Sequence, residues 1–179
     1  NREKGLEKGP NTVVRFKTPL SGEIIVKDTL KGNICVNNEE LDDLIIQRVD
    51  GSATYNMSVV VDDIDMGITN TIRGDDHLNN TFRQMHIMKA LGYKAPIYTH
   101  IPLIMGEDRK RLSKRHGATS TYEFRKKGIL SISIINYLVR LGWAEGNKEK
   151  FSVEELIELF NLKNLNKSSS TFDYKKLYS

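Results

Sequence analysis

The stretch from Ile68 to Arg109 constrains this chain most, because its order of elements admits few folds. ITNTIRG (68–74) is a short β-branched segment ending on glycine. The helical spacing of Phe82, Met85 and Met88 predicts a helix from Asn80 to Leu91, and Gly92 stops it. Pro96 then opens an apolar strand, IYTHIPLI (97–104). Strand, helix, strand and loop in that order is the pattern of a parallel α/β sheet. Ligands of such sheets bind beyond the carboxyl ends of the strands. Two charged segments fall there: Arg73-Gly74-Asp75-Asp76-His77 and KRLSKRHGA (110–118).

The flanking regions differ in character. VVRF (13–16), EIIVKD (23–28), NICV (33–36) and LIIQR (44–48) predict short strands, separated by turn signals such as Ser21-Gly22 and Lys31-Gly32. YNMSVVVDD (55–63) is expected as a buried strand or a helix–strand junction. After Thr121 the pattern is helical. Ser120 with Glu123 and Ser152 with Glu155 have capping-box spacing. Leu130, Ile134, Leu138 and Leu141 form one expected apolar face, and Val153, Leu156, Ile157 and Phe160 another. NKSSST (166–171) is expected as a polar linker, with a last helix from Asp173.

With 179 residues there is room for one large domain and a part of another. No apolar run approaches the roughly 20 residues of a membrane span, so no membrane partner is expected. The lone cysteine, Cys35, is expected as a small buried residue; it allows neither an internal disulfide nor a cysteine-rich zinc site. A reducing cytoplasm is the expected compartment.

Net charge is +4, but between Arg109 and Lys127 eight cationic residues face a single acid, Glu123. Such a cluster is most often a solvated face or a nonspecific nucleic-acid patch. A lysine on a glycine-hinged loop can also close over a triphosphate and meet the charge that builds on departing pyrophosphate. Asp75, Asp76 and His77 have the residue types of metal ligands and equally those of a helix N-terminus. Their spacing matches no metal motif, so no metal site is assigned. Asp62, Asp63 and Asp65 fail the DDxxD pattern because Met66 stands at its third position. Arg73 either pairs with Asp75 or Asp76, or clamps a ligand carboxylate with its guanidinium fork. Tyr55 is a core aromatic or a substrate contact, and His86 and His100 are expected to be structural.

DGSATYNMSVVVDDIDMGITNTIRGDDHLNNTFRQMHIMKALGY followed by PIYTHIPLIMGEDRKRLSKRHGA resembles the central region of bacterial glutamyl-tRNA synthetases. RLSKR (Arg111, Leu112, Ser113, Lys114, Arg115) is similar to the second ATP signature of that class I family, with arginine in place of its first lysine. NYLVRLGW and FSVEELIELF resemble the start of the helical stem-contact region. The fold implied is α/β: the second half of a Rossmann-type parallel sheet, preceded by part of a β-containing inserted domain and followed by helices. Residues 1–47 would end the acceptor-stem-binding insertion, 48–119 would form the catalytic half-core, and 120–179 would start the stem-contact region.

The resemblance implies ATP-dependent ligation of glutamate to the 3′ end of tRNA through glutamyl-adenylate. It gives Lys114 the catalytic, phosphate-stabilising role. Asp76, His77, Leu103, Leu112 and Lys114 fall on ATP-binding positions, and Tyr55 and Arg73 on glutamate-binding positions. The partners implied are L-glutamate, ATP with Mg²⁺, and tRNA-Glu, with tRNA-Gln left open because the anticodon reader is absent. A cytoplasmic monomer is expected. Zinc stays open, because the cysteines that bind it in some members would lie upstream. The first ATP signature would also lie upstream, so the isolated segment is expected to be inactive. Two other readings remain: a noncatalytic RNA-binding module built on the basic helices, and a truncated relative that glutamylates a tRNA base. The helical sequence after Gly128 argues against the last.

Overall fold

The computed structural model describes residues 9–112 and 120–178. Its strands are β1 (Val14–Arg15), β2 (Glu23–Asp28), β3 (Gly32–Asn37), β4 (Ile45–Gln47), β5 (Asn70–Gly74) and β6 (Ile97–Ile101). Its helices are α1 (Tyr55–Asp65), α2 (Leu78–Ala90), α3 (Thr121–Lys126), α4 (Ser131–Gly142), α5 (Val153–Leu159) and α6 (Tyr174–Tyr178). Four strands form one sheet in the order β3-β2-β6-β5, and β1 pairs with β4 apart from it. β2 runs antiparallel to β3 and parallel to β6. The β5–α2–β6 crossover is the strand–helix–strand unit that the sequence pattern predicts.

Contacts divide the chain into two compact units, residues 1–72 with 77–99, and residues 73–76 with 100–179. The β2–β3 hairpin joins the same sheet as β6, with Asp28 opposite Tyr98, so it belongs with the first unit.

In the first unit, β2 alternates strictly, with Ile24, Val26 and Asp28 inward. Ile24 and Val26 pack with Phe82 of α2 and Tyr98 of β6. The buried Asp28 carboxylate is satisfied at the hairpin turn, accepting hydrogen bonds from the backbone N–H groups of Leu30 (2.9 Å) and Lys31 (2.8 Å). Cys35 lies opposite Ile25 on the outward side of the same alternation, so it is exposed rather than buried. Its thiol donates to Glu23 Oε2 (2.9 Å), which pushes its pKa up.

Residues 55–65 are a helix, not the expected strand or junction. The three consecutive valines favour strand locally, yet Met57, Val60 and Ile64 recur at helical spacing. That stripe packs against Leu44 and against Ile87 and Met88 of α2. Burial of one helical face outweighs the few tenths of a kcal/mol per residue by which β-branched residues disfavour helix. Gly67, at φ 63°, terminates the turn. On α2, buried Gln84 donates to Asn56 Oδ1 (3.0 Å) across the helix pair. His86 is buried and bonded to Asn38 Oδ1 (2.9 Å), and desolvation, assisted by Lys89, lowers its pKa. Its structural role is as expected.

In the second unit, Ile134, Phe124, Phe172 and Leu177 form one cluster, and Trp143, Phe151 and Leu156 another. The inward stripe of α4 is Ile134, Tyr137 and Leu141, rotated from the expected face: Leu130 caps the helix at 69% exposure, and Leu138 is exposed. On α5 only Leu156 is buried, while Val153, Ile157 and Phe160 are exposed, because a seven-residue helix offers little more than one inward turn. Ser152 and Glu155 complete a capping box. Ser120 supplies only half of one, accepting from Tyr122 N (3.2 Å), since the Glu123 carboxylate is taken by Lys126 (3.1 Å). The expected linker is not free either. Met105 N donates to Ser170 O (2.9 Å) and Phe172 N to Met105 O (2.8 Å), so this segment flanks the loop after β6.

Candidate functional site

The chain that leaves β6 folds back on itself. Leu112 N donates to Ile104 O (2.9 Å), Gly106 N to Lys110 O (2.8 Å), and Met105 bridges Arg111 in antiparallel fashion. Arg109 takes φ 61° at the tip, and Asp108 Oδ1 receives Lys110 N (3.0 Å). Ile104 and Leu112 pack on the Phe124–Phe172 cluster, which anchors both arms of this hairpin. Ser113, Lys114 and Arg115, the rest of the signature run, lie outside the described residues.

A cavity of about 280 Å³ opens between Gly74 at the end of β5, residues 101–104 and the Arg111–Leu112 arm. Leu103 and Leu112, both expected at an ATP pocket, line it. Arg111 donates to Asp76 Oδ2 (2.8 Å), so a side chain of the basic run meets one of the strand-end acids. With the arginine side chain 64% exposed, such a pair is worth at most about 1 kcal/mol. It is weak enough to yield to a better anion. Asp76 uses that oxygen on arginine rather than on the helix N-terminus, and His77, at the N-cap of α2, makes no side-chain cap.

Gly74, a glycine with no role at the site expected from sequence, sits tightly in this corner. A Cβ there would lie 2.6 Å from Asp76 Oδ1 and 3.1 Å from Leu103 Cδ2. Gly74→Ala is expected to cost about 1–3 kcal/mol by overpacking, read as a lower unfolding midpoint of this unit. A midpoint unchanged within error would mean that Asp76 and Leu103 move aside freely.

Arg73, on the same strand end, donates from Nε to His100 Nε2 at 3.3 Å. His100 is wholly buried on β6, where Tyr98 and Thr99 are buried too. In the first unit, Tyr55 is half exposed, and its hydroxyl lies 3.3 Å from His77 Nδ1. Asn80 Nδ2 approaches the same nitrogen at 3.3 Å. Arg73, Asp76, Leu103, Arg111 and Leu112 thus belong to the second unit, and Tyr55 and His77 to the first. Among the described residues no three His, Cys, Asp or Glu side chains converge as metal ligands. No helix among them is long and apolar enough to cross a membrane.

Residues 1–179 match the family model for the catalytic domain of class I tRNA synthetases (E and Q). The chain belongs to this family. Within the class I synthetases it is 56% identical over 176 residues to glutamate–tRNA ligase 1 of Syntrophus aciditrophicus, covering 98% of this chain and 37% of that protein. It is 54% identical over 165 residues to glutamate–tRNA ligase 1 of Alkalilimnicola ehrlichii, covering 92% and 35%. The chain spans a little over a third of the length of the curated relatives it matches. Among solved structures, the glutamate–tRNA synthetase of Elizabethkingia anophelis superposes with a TM-score of 0.84 at 33% identity, covering 92% of this chain and 37% of that one. A glutamate–tRNA ligase of Elizabethkingia meningosepticum, solved in complex with its amino acid, gives 0.85 at the same identity and coverage. The α/β fold expected for a class I synthetase is the fold observed, with helices following the sheet.

Proposed function

We propose that this chain supplies part of the active site of a glutamate–tRNA ligase. The α-carboxylate oxygen of glutamate attacks the α-phosphorus of ATP and pyrophosphate leaves. A hydroxyl of the terminal ribose of tRNA then attacks the carbonyl of the glutamyl-adenylate, loses its proton and expels AMP. The observation that carries the reading is the strand-end arginine, Arg73, whose guanidinium is tied at Nε to buried His100. A guanidinium fork recognises a carboxylate by charge and by two parallel hydrogen bonds. In this reading Arg73 takes the glutamate side chain, and Tyr55 donates a hydroxyl to the same substrate.

ATP, taken as its Mg²⁺ complex, is assigned to Asp76, His77, Leu103, Leu112 and Lys114. The apolar lining contributed by Leu103 and Leu112 suits a purine ring, and the Arg111–Asp76 pair is weak enough to rearrange when phosphates arrive. Lys114 answers charge on the departing pyrophosphate. Residues 1–47 are assigned to the end of the acceptor-binding insertion, 48–119 to the catalytic core and 120–179 to the stem-contact helices. The enzyme would act as a cytoplasmic monomer on tRNA-Glu, with tRNA-Gln as a second substrate to be tested.

The test is pyrophosphate exchange into ATP by the enzyme that carries this chain, with tRNA present. Exchange is expected with glutamate and not with glutamine. RNA binding without any glutamate-dependent exchange would instead mark a noncatalytic RNA-binding module.

A further inference from the structure

His100 was expected to be merely structural, and its burial alone fits that. Its bond does not. Arginine has only donors, so a bond from Arg73 Nε to His100 Nε2 requires that nitrogen to be bare. The imidazole is then neutral, with its proton on Nδ1, since a protonated ring would set two cations against each other without solvent between them. We infer that His100 is a positioning residue that fixes the plane of the Arg73 guanidinium for recognition of the substrate's side-chain carboxylate. This rests on the reading of Arg73 as the glutamate contact.

The geometry suits that role. β5 and β6 are neighbours in the sheet, so the acceptor and the arginine sit on paired strands rather than on loops. His100 is fully buried on a strand whose preceding residues, Tyr98 and Thr99, are also buried, so its ring has no freedom to follow a moving partner. A bond at Nε restrains rotation about the last side-chain torsion, which also swings the two terminal nitrogens. Those two nitrogens form the end-on fork that distinguishes a carboxylate from an amide. An arginine free to rotate would keep its charge but lose the paired geometry, and selectivity would fall with it.

Glutamine at position 100 can put an amide oxygen where Nε2 stands; methionine has nearly the same length and only a weak acceptor. His100→Met and His100→Leu in the full enzyme are expected to raise the glutamate KM roughly 10-fold, the scale of one hydrogen bond to a charged group. kcat should fall by a smaller factor, and preference for glutamate over glutamine should drop in parallel with the KM change. His100→Gln is expected to restore KM to within about threefold of wild type. Either apolar variant suffices if the other does not fold. If all three variants lower the unfolding midpoint alike and leave glutamate KM unchanged, His100 is scaffold only and the inference is overturned. In an Arg73→Gln background, His100→Met should add nothing to KM; a full further rise would also overturn it. Arg73→Gln that leaves KM unchanged would remove the underlying reading of Arg73, whereas a raised KM there with none in His100→Met would remove only the role of His100.

Discussion

Lys114→Ala, in the enzyme that carries this chain, is expected to slow adenylate formation by about 10²- to 10³-fold, the scale for losing one preorganised charge donor. The loss should fall on kcat far more than on glutamate KM, because the negative charge it answers develops as pyrophosphate leaves. Lys114→Arg should recover only part of the rate, since a planar fork does not place its charge where a compact ammonium does. Single-turnover measurement of pyrophosphate release checks this directly. A wild-type rate in Lys114→Ala would return the RLSKR run to an ordinary solvated loop.

Arg73→Gln is expected to raise the glutamate KM at least about 100-fold and to collapse a preference over glutamine that should be roughly 10⁴-fold in the parent. Glutamine offers Arg73 one acceptor and a misdirected NH₂ donor in place of two acceptors and a full charge. His100 would meanwhile lose the donor it accepts, so a modest drop in unfolding midpoint should accompany the kinetic change. Competition assays with the two amino acids, together with thermal unfolding, separate the effects. A variant that melts early yet keeps its preference for glutamate would place the specificity elsewhere and leave Arg73 a support for the strand end.

Much of the fold was legible because its signals are local. β2 and β3 alternate, α2 carries a helical stripe, and Ser152 and Glu155 lie three residues apart, so each element announces itself within one window. α1 did not. Its valines signal strand, and only the partners of Val60 on α2 and β4 decide for helix. The exposed side chains of α5 misled for the reverse reason: apolar spacing shows which residues share a face, not whether anything covers it.

The candidate site divides in the same way. Sequence by itself was enough to order the motifs, to put Arg73 at a strand end and to place charge on the loop after β6, because these depend on neighbours along the chain. Only the tertiary structure joined Arg73 to His100, 27 residues away, and Arg111 to Asp76, 35 residues away. It also showed that a Cβ at Gly74 would crowd Asp76 and Leu103, and that residues 170–172 hold the loop at Met105. Periodicity records which face of an element is buried. Which side chain meets another across two strands depends on how the sheet brings distant segments together, and no local pattern carries that information.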